Sequence, residues 1–420
     1  MENRLLHTPE GVRDIYNGEC QRKLAVENKI LGTFYQYGYE HIETPSFEYF
    51  DIFNKDRGSV GDKEMFKFFD RDNNTLVLKP DMTPAVARCV AKYYMDDPMP
   101  LRLCYLERTY KNNTSYQGRL KETTQTGAEL IGDDSEQADA ELLAMVIESL
   151  QQTGLKEFQV EIGHADFFRG LTEEAGMDGQ TREDLRELIE NKNYFGAEEL
   201  LDSQEISEES RRSFLTLMEL FGSADQLSHA RELTKSPRAL AAIARLERIQ
   251  HLMEAYGLAD YISYDLGMVS RYQYYTGIIF KAYTYGTGDY IVTGGRYDRL
   301  LEQFGKNSPA VGFAIEVNQV MLALSRQQIQ VPVKQANVLI LFEPTAEKQA
   351  IRLGQHFRSL GLYAVSSVFH EGREIEDYRK MASDRNMRTI LYLKGEGTIV
   401  TAMDLVNGSQ DAIPFSEYVE

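Results

Sequence analysis

The sequence predicts an α+β fold: an antiparallel sheet core carrying a helical insertion, followed by a small α/β domain. Three stretches carry that expectation. Leu101 to Gly132 reads as two strands around a long polar loop, with Leu101, Leu103 and Tyr105 before it, Ala128, Leu130 and Ile131 after it, and Asn112, Asn113, Ser115 and Gly118 within. From about residue 165 to 257 the chain is charged, poor in proline and helical in period, as at Leu240, Ile243, Leu246 and Ile249. After Val331-Pro332-Val333, strand-like and helix-like runs alternate to residue 420. The expected division is 1–330 and 331–420.

The elements follow in order. Apolar residues at helical spacing from Cys20 to Tyr37 predict a helix that Gly38 stops, and Tyr39 to Ile42 predicts a strand ending at Thr44-Pro45. Met65–Asp70 and Thr75–Lys79 predict a hairpin around Arg71-Asp72-Asn73-Asn74. A helix is expected over Ala85–Tyr94, with Asp81 and Thr83 placed to cap it. Ser135–Gln152 reads as a long helix and Phe158–Ile162 as a strand. In the last region strands are expected at 337–342, 363–368, 388–393 and 399–403, with helices at 345–360 and 371–386.

Composition narrows the function. The chain of 420 residues is 42% hydrophobic, enough to bury cores in two or three domains. No apolar run reaches the ~18 residues of a membrane span, and the first residues hold no signal-like apolar stretch. Cys20, Cys89 and Cys104 lack ligand or disulfide spacing, so a cytoplasmic protein without metal or other cofactor is expected. The net charge of −19 disfavours a nucleic-acid partner. Residues 331–420 hold ten Lys/Arg against twelve Asp/Glu, without the basic excess of an RNA-binding module.

Candidate chemistry clusters in a few segments. The loop after Tyr105 carries Arg108, Lys111, Arg119 and Lys121; Gln125 and Glu129 follow, four apart and so on one strand face. This stretch resembles motif 2 of class II aminoacyl-tRNA synthetases, in particular the histidyl-tRNA synthetases. The same resemblance extends to Pro9-Glu10-Gly11-Val12-Arg13-Asp14 and Tyr39–Pro45 (motif 1), Lys79-Pro80-Asp81-Met82-Thr83, Tyr274-Tyr275-Thr276-Gly277, Gly294-Gly295-Arg296-Tyr297-Asp298 and Pro309–Gln319 (motif 3). It implies a class II synthetase-like core, a dimer built through motif 1, and a histidine pocket. In that pocket Asp81 and Thr83 would hold the α-ammonium beside Gln125, and Glu129 would meet the imidazole. Tyr274 and Tyr275 would form the wall, and Lys111 or Arg271 would face the carboxylate.

The synthetase arginines do not follow. Their motif 2, tyrosine-segment and motif 3 positions hold Lys111, Ser270 and Gln319. Adenylation depends on cations fixed around phosphate oxygens, and lysine does not replace a bidentate guanidinium. Loss of phosphate handling beside a kept amino-acid pocket resembles the ATP phosphoribosyltransferase regulatory subunits, a synthetase-like family of histidine biosynthesis. That resemblance implies no catalysis by this chain itself. It also implies a short-form catalytic ATP phosphoribosyltransferase as partner, L-histidine as effector, and a homodimer within a hetero-oligomer. The alternative is a divergent active histidyl-tRNA synthetase working with Lys111 and Arg119.

Overall fold

A computed structural model describes residues 4–54, 60–113, 120–269, 274–333 and 338–419. The chain divides into two compact units, Met1–Val331 and Pro332–Glu420.

The first unit opens with α1 (Asn17–Gln36) and β1 (Glu40–His41). Next, β2 (Phe47–Tyr49), β3 (Lys67–Phe69) and β4 (Thr75–Leu78) form a small antiparallel sheet in the order β2-β4-β3. The expected hairpin joins β3 to β4. The Asp70 carboxylate accepts the backbone N–H of Asp72 and Asn74 at 2.9 and 2.8 Å, and Asn73 takes the left-handed φ of 62° that Asn tolerates.

After α2 (Thr83–Tyr93) come β5 (Leu101–Tyr110) and β6 (Glu122–Ile131), paired from Leu101↔Ile131 to Tyr110↔Glu122. Both run further than the apolar alternation predicted. Arg108, expected in the loop, lies on β5 and pairs across the ladder with Glu122 at 2.7 Å. The cause is composition: Thr109 of β5 and Thr124 of β6 are buried polar strand residues, so these ends carry no hydrophobic period. Ser135 caps α3 (Glu136–Thr153) by accepting the Ala138 N–H at 3.2 Å, and Gly154, at φ 106°, ends it.

β7 (Phe158–His164) leads into the helical insertion: α4 (Ala165–Glu174), α5 (Gly179–Glu190), α6 (Tyr194–Asp202) and α7 (Glu208–Leu217), then the short β8 (Phe221–Gly222), α8 (Asp225–Glu232) and α9 (Pro237–Tyr256). The chain returns through β9 (Ile262–Asp265), β10 (Ile278–Thr284), β11 (Val292–Arg296), β12 (Ala310–Glu316) and α10 (Val317–Arg326). Among the described residues the main sheet has the order β1-β5-β6-β12-β11-β10-β7-β9-β8. It is antiparallel from β5 through β7, with parallel pairs at β1–β5 and β7–β9.

Alternation along the strands separates two cores. On one face Ala128 and Leu130 of β6 and Phe313 and Ile315 of β12 join Phe34 of α1, Leu143 and Ile147 of α3 and Leu246 of α9. On the other, Leu103, Tyr105 and Ile131 meet Val86 and Val90 of α2 with Tyr274, Tyr275 and Tyr297. The second face holds the site.

The second unit contains β13 (Val338–Phe342), α11 (Glu347–Ser359), β14 (Ala364–Val368), α12 (Ile375–Asp384), β15 (Thr389–Leu393), β16 (Ile399–Asp404) and β17 (Gln410–Pro414). Its sheet order is β14-β13-β15-β16-β17, parallel across the first three strands. Leu339, Leu341 and Tyr392 pack with Tyr378 of α12, while Ile340 and Leu391 pack with Leu353 of α11.

Candidate functional site

Gln125, Gly127 and Glu129 share one face of β6. Glu129 is fully buried at its floor. Its Oε1 accepts from the Thr83 hydroxyl at 2.9 Å, and its Oε2 accepts from the Tyr297 hydroxyl at 2.5 Å. Gly312 lies opposite Glu129 in the β6–β12 register, and a Cβ there would come within 1.5 Å of Glu129 Oε2. The glycine is therefore what admits the carboxyl group. Burial pushes the Glu129 carboxyl up to about 8; the two hydroxyl donors act against that rise and the Asp81 charge adds to it.

Asp81 and Thr83 occupy the turn into α2, but they do not cap it. The N-cap position is Met82, without a side-chain capping bond. Asp81 Oδ1 accepts the Met82 N–H at 2.8 Å, and the Thr83 hydroxyl is directed to Glu129. Lys79 anchors this turn from below. Its buried ammonium donates to Thr44 O and Oγ1, both at 3.1 Å, and pairs with Glu107 at 3.1 Å.

Tyr274 and Tyr275 precede β10 and are not strand residues. Their rings meet edge-on at 4.9 Å between centroids, and Tyr274 meets Tyr297 at 6.1 Å. Arg169 of α4 holds the Tyr275 carbonyl at 2.9 Å. A Cβ at Gly295 would stand 2.8 Å from the Tyr275 ring, so the absence of a side chain there is what lets the tyrosine pack against the strand.

Gln125 completes the arrangement. Its Nε2 donates to Glu316 Oε1 at 2.6 Å, while its buried Oε1 has no hydrogen-bond partner among the described residues. A buried amide oxygen without a donor is costly; an ammonium ion supplies donors and no acceptor. Lys111 also lines the pocket, and its charge opposes the upward shift that burial imposes on the Glu316 carboxyl.

Asp81, Thr83, Lys111, Gln125, Tyr274 and Tyr275 thus line one pocket, with Glu129 hydrogen-bonded to two of its walls. Arg271, like Ser270 and Arg119, lies outside the described residues. Sequence reasoning missed Tyr297 and Glu316 as site residues. Tyr297 had a signal in Gly294–Asp298, the glycine-rich segment matched to the amino-acid site. Glu316 lay within the Pro309–Gln319 motif, but its role depends on lying opposite Gln125 in the β6–β12 ladder.

The pocket is small, a cavity of about 20 Å3, room for one or two waters. Beside it lies a cavity of about 1100 Å3, reached by Arg13, Arg22, Lys121, Asn318 and Gln319. Lys111, Tyr290 and Glu316 line both. Asn318 is committed to structure, since its Oδ1 accepts the Thr124 N–H at 2.9 Å. Among the described residues no cluster of His, Cys, Asp or Glu is arranged for a metal ion, and no helix is long and apolar enough to cross a membrane.

Comparison with known proteins gives a consistent picture. The histidyl-tRNA synthetase family model matches residues 11–320. The ATP phosphoribosyltransferase regulatory subunit of Acetivibrio thermocellus is 38% identical over 95% of this chain and 93% of its own length. That of Ruminiclostridium cellulolyticum is 37% identical over 98% and 97%. The crystal structure of an ATP phosphoribosyltransferase regulatory subunit/histidyl-tRNA synthetase from Bacillus halodurans superposes with a TM-score of 0.84 at 31% identity, over 93% of this chain and 99% of that one. Histidyl-tRNA synthetase from Nostoc has the same fold, with a TM-score of 0.83 at 19% identity over 98% of each chain.

Proposed function

The chain belongs to the family of ATP phosphoribosyltransferase regulatory subunits, built on the histidyl-tRNA synthetase fold, and from that premise we propose that it senses L-histidine for a short-form catalytic ATP phosphoribosyltransferase and does not itself charge tRNA. The observation that carries this reading is an amino-acid pocket kept without its phosphate clamp. Acidic Asp81 and the unpartnered Gln125 oxygen suit an α-ammonium. Glu129 suits an imidazole N–H, and Tyr274 and Tyr275 suit the ring's faces. Lys111 and Gln319 stand where the synthetases carry arginines for phosphate.

In this role the chain contributes binding and coupling, not bond chemistry. The partner joins ATP to phosphoribosyl pyrophosphate, and histidine acts through its different affinity for the active and inhibited states of the complex. The pocket must widen to take histidine, since its present space holds no more than a water or two.

The test is co-purification with a short-form catalytic subunit, followed by assay with and without histidine. The reading expects a stable complex, activity that depends on this chain, and inhibition by histidine that Asp81→Asn and Glu129→Gln weaken. No complex, or inhibition unaffected by either substitution, counts against it.

A further inference from the structure

Glu316 is a half-buried carboxylate for which the histidine reading has no use. It ends β12, faces Gln125 across the ladder, and stands at the N-cap of α10. It lines both the small pocket and the large cavity, and so forms part of the partition between them. Two consequences follow. The start of a helix favours negative charge from a ligand phosphate, and at α10 the N-cap residue is itself an acid, its side chain making no capping bond and accepting from Gln125 instead. Second, Lys111 is the one cation among the described residues lining the small pocket, and Glu316 shares its charge. The pocket therefore holds Asp81 and Glu316 against Lys111.

We propose that Glu316 sets the ligand class of this pocket, admitting a zwitterionic amino acid and rejecting the same molecule with a phosphate or phosphoanhydride at its carboxyl end. The proposal rests on the histidine-sensing reading above. A zwitterion brings one positive and one negative charge, which Asp81 and Lys111 can meet separately. A phosphate dianion brings a second negative charge to the one lysine, beside a carboxylate that Gln125 holds in place. Specificity here comes from a repulsive group as well as attractive ones. The altered arginine positions remove an attraction for phosphate; Glu316 adds active exclusion.

The experiment compares L-histidine with L-histidinol phosphate, which keeps the ammonium and imidazole and carries phosphate in place of the carboxylate. Binding of each is measured by calorimetry on the full chain, on Glu316→Gln and on Glu316→Ala, with thermal unfolding as a check on folding. The ratio of the two affinities is the readout, because general damage to the pocket lowers both. The parent is expected to prefer histidine, and the preference should fall at least tenfold in both variants. A ratio unchanged in both overturns the role of Glu316 and leaves histidine sensing intact. A parent that binds no histidine overturns the sensing reading, and this inference with it.

Discussion

At the scale of single residues, Glu129 concentrates the pocket's energetics. Its carboxyl is raised to about 8 chiefly by burial, while in the unfolded chain it titrates near 4.3. Between those values the folded state binds more protons than the unfolded state, so this group's contribution is fully present below about pH 4.3 and is lost as pH rises through 8. Glu129→Gln removes the titration. We expect the variant to gain stability relative to the parent across that window, by up to about 1.4 kcal/mol per pH unit, in urea unfolding followed as a function of pH. At the same time histidine binding should weaken 10- to 100-fold where the imidazole N–H meets this carboxyl in its ionised form, a charge-assisted hydrogen bond of about 1.5–3 kcal/mol. Parallel stability profiles would contradict the buried, protonated assignment; unchanged affinity would contradict the site. The shared face of Gln125 and Glu129 was legible because strand alternation is local. Tyr297 and Glu316 reach the site through pairings between segments more than 150 residues apart, at 168 and 191 positions, which no local pattern encodes.

At the scale of elements, the periodic pieces were readable and the polar ones were not. The helices α1 and α3, the β3–β4 hairpin and the alternation of the second unit all follow from apolar spacing and turn residues. The outer ends of β5 and β6 do not, because their buried positions are threonine. The join of β7 to α4 shows a further chemistry hidden from pattern. His164 is buried, and its Nδ1 accepts the Asp166 N–H at 3.2 Å, capping α4. Burial holds its imidazole down at about 3, with Arg245, Arg169 and Arg296 acting in the same direction and Asp166 against it. The unfolded histidine takes its proton near 6.5, so the unfolded state binds more protons between 6.5 and 3 and stability is lost as pH falls through that range. Asparagine is a good N-cap without a proton to gain. His164→Asn should therefore track the parent above pH 7 and become progressively less acid-sensitive below 6.5, by up to about 1.4 kcal/mol per pH unit. Unfolding curves that stay a constant distance apart down to pH 5 would remove the neutral-cap assignment.

At the scale of the whole molecule, the kept pocket and altered phosphate positions predict histidine binding without histidine-dependent pyrophosphate exchange. Exchange at synthetase-like rates by the purified chain would overturn the regulatory reading in favour of an active synthetase. The same scale sets the expected assembly: a homodimer formed through α1 and the Tyr39–Pro45 segment. The isolated chain leaves apolar groups on and beside these elements in solvent: Leu24 and Tyr35 on α1, and Phe47, Tyr49 and Phe68 on the neighbouring small sheet. The strand registers put Phe47, Tyr49 and Phe68 on one face, with Phe47 and Phe68 packed edge-on at 5.7 Å. Scattered exposed apolar residues are ordinary, but a contiguous aromatic face marks an interface, and a stable dimer needs roughly 1,600 Å2 of buried surface. Sedimentation should give twice the chain mass at micromolar concentration. A double substitution of Phe47 and Tyr49 by glutamate should shift the chain to monomer, because charge repels across a two-fold contact where each residue meets its copy's surface. Histidine binding by that monomer would separate the pocket's own integrity from the assembly. A parent that sediments as a monomer, both alone and with the catalytic subunit, would refute the dimer and leave this aromatic face to another partner.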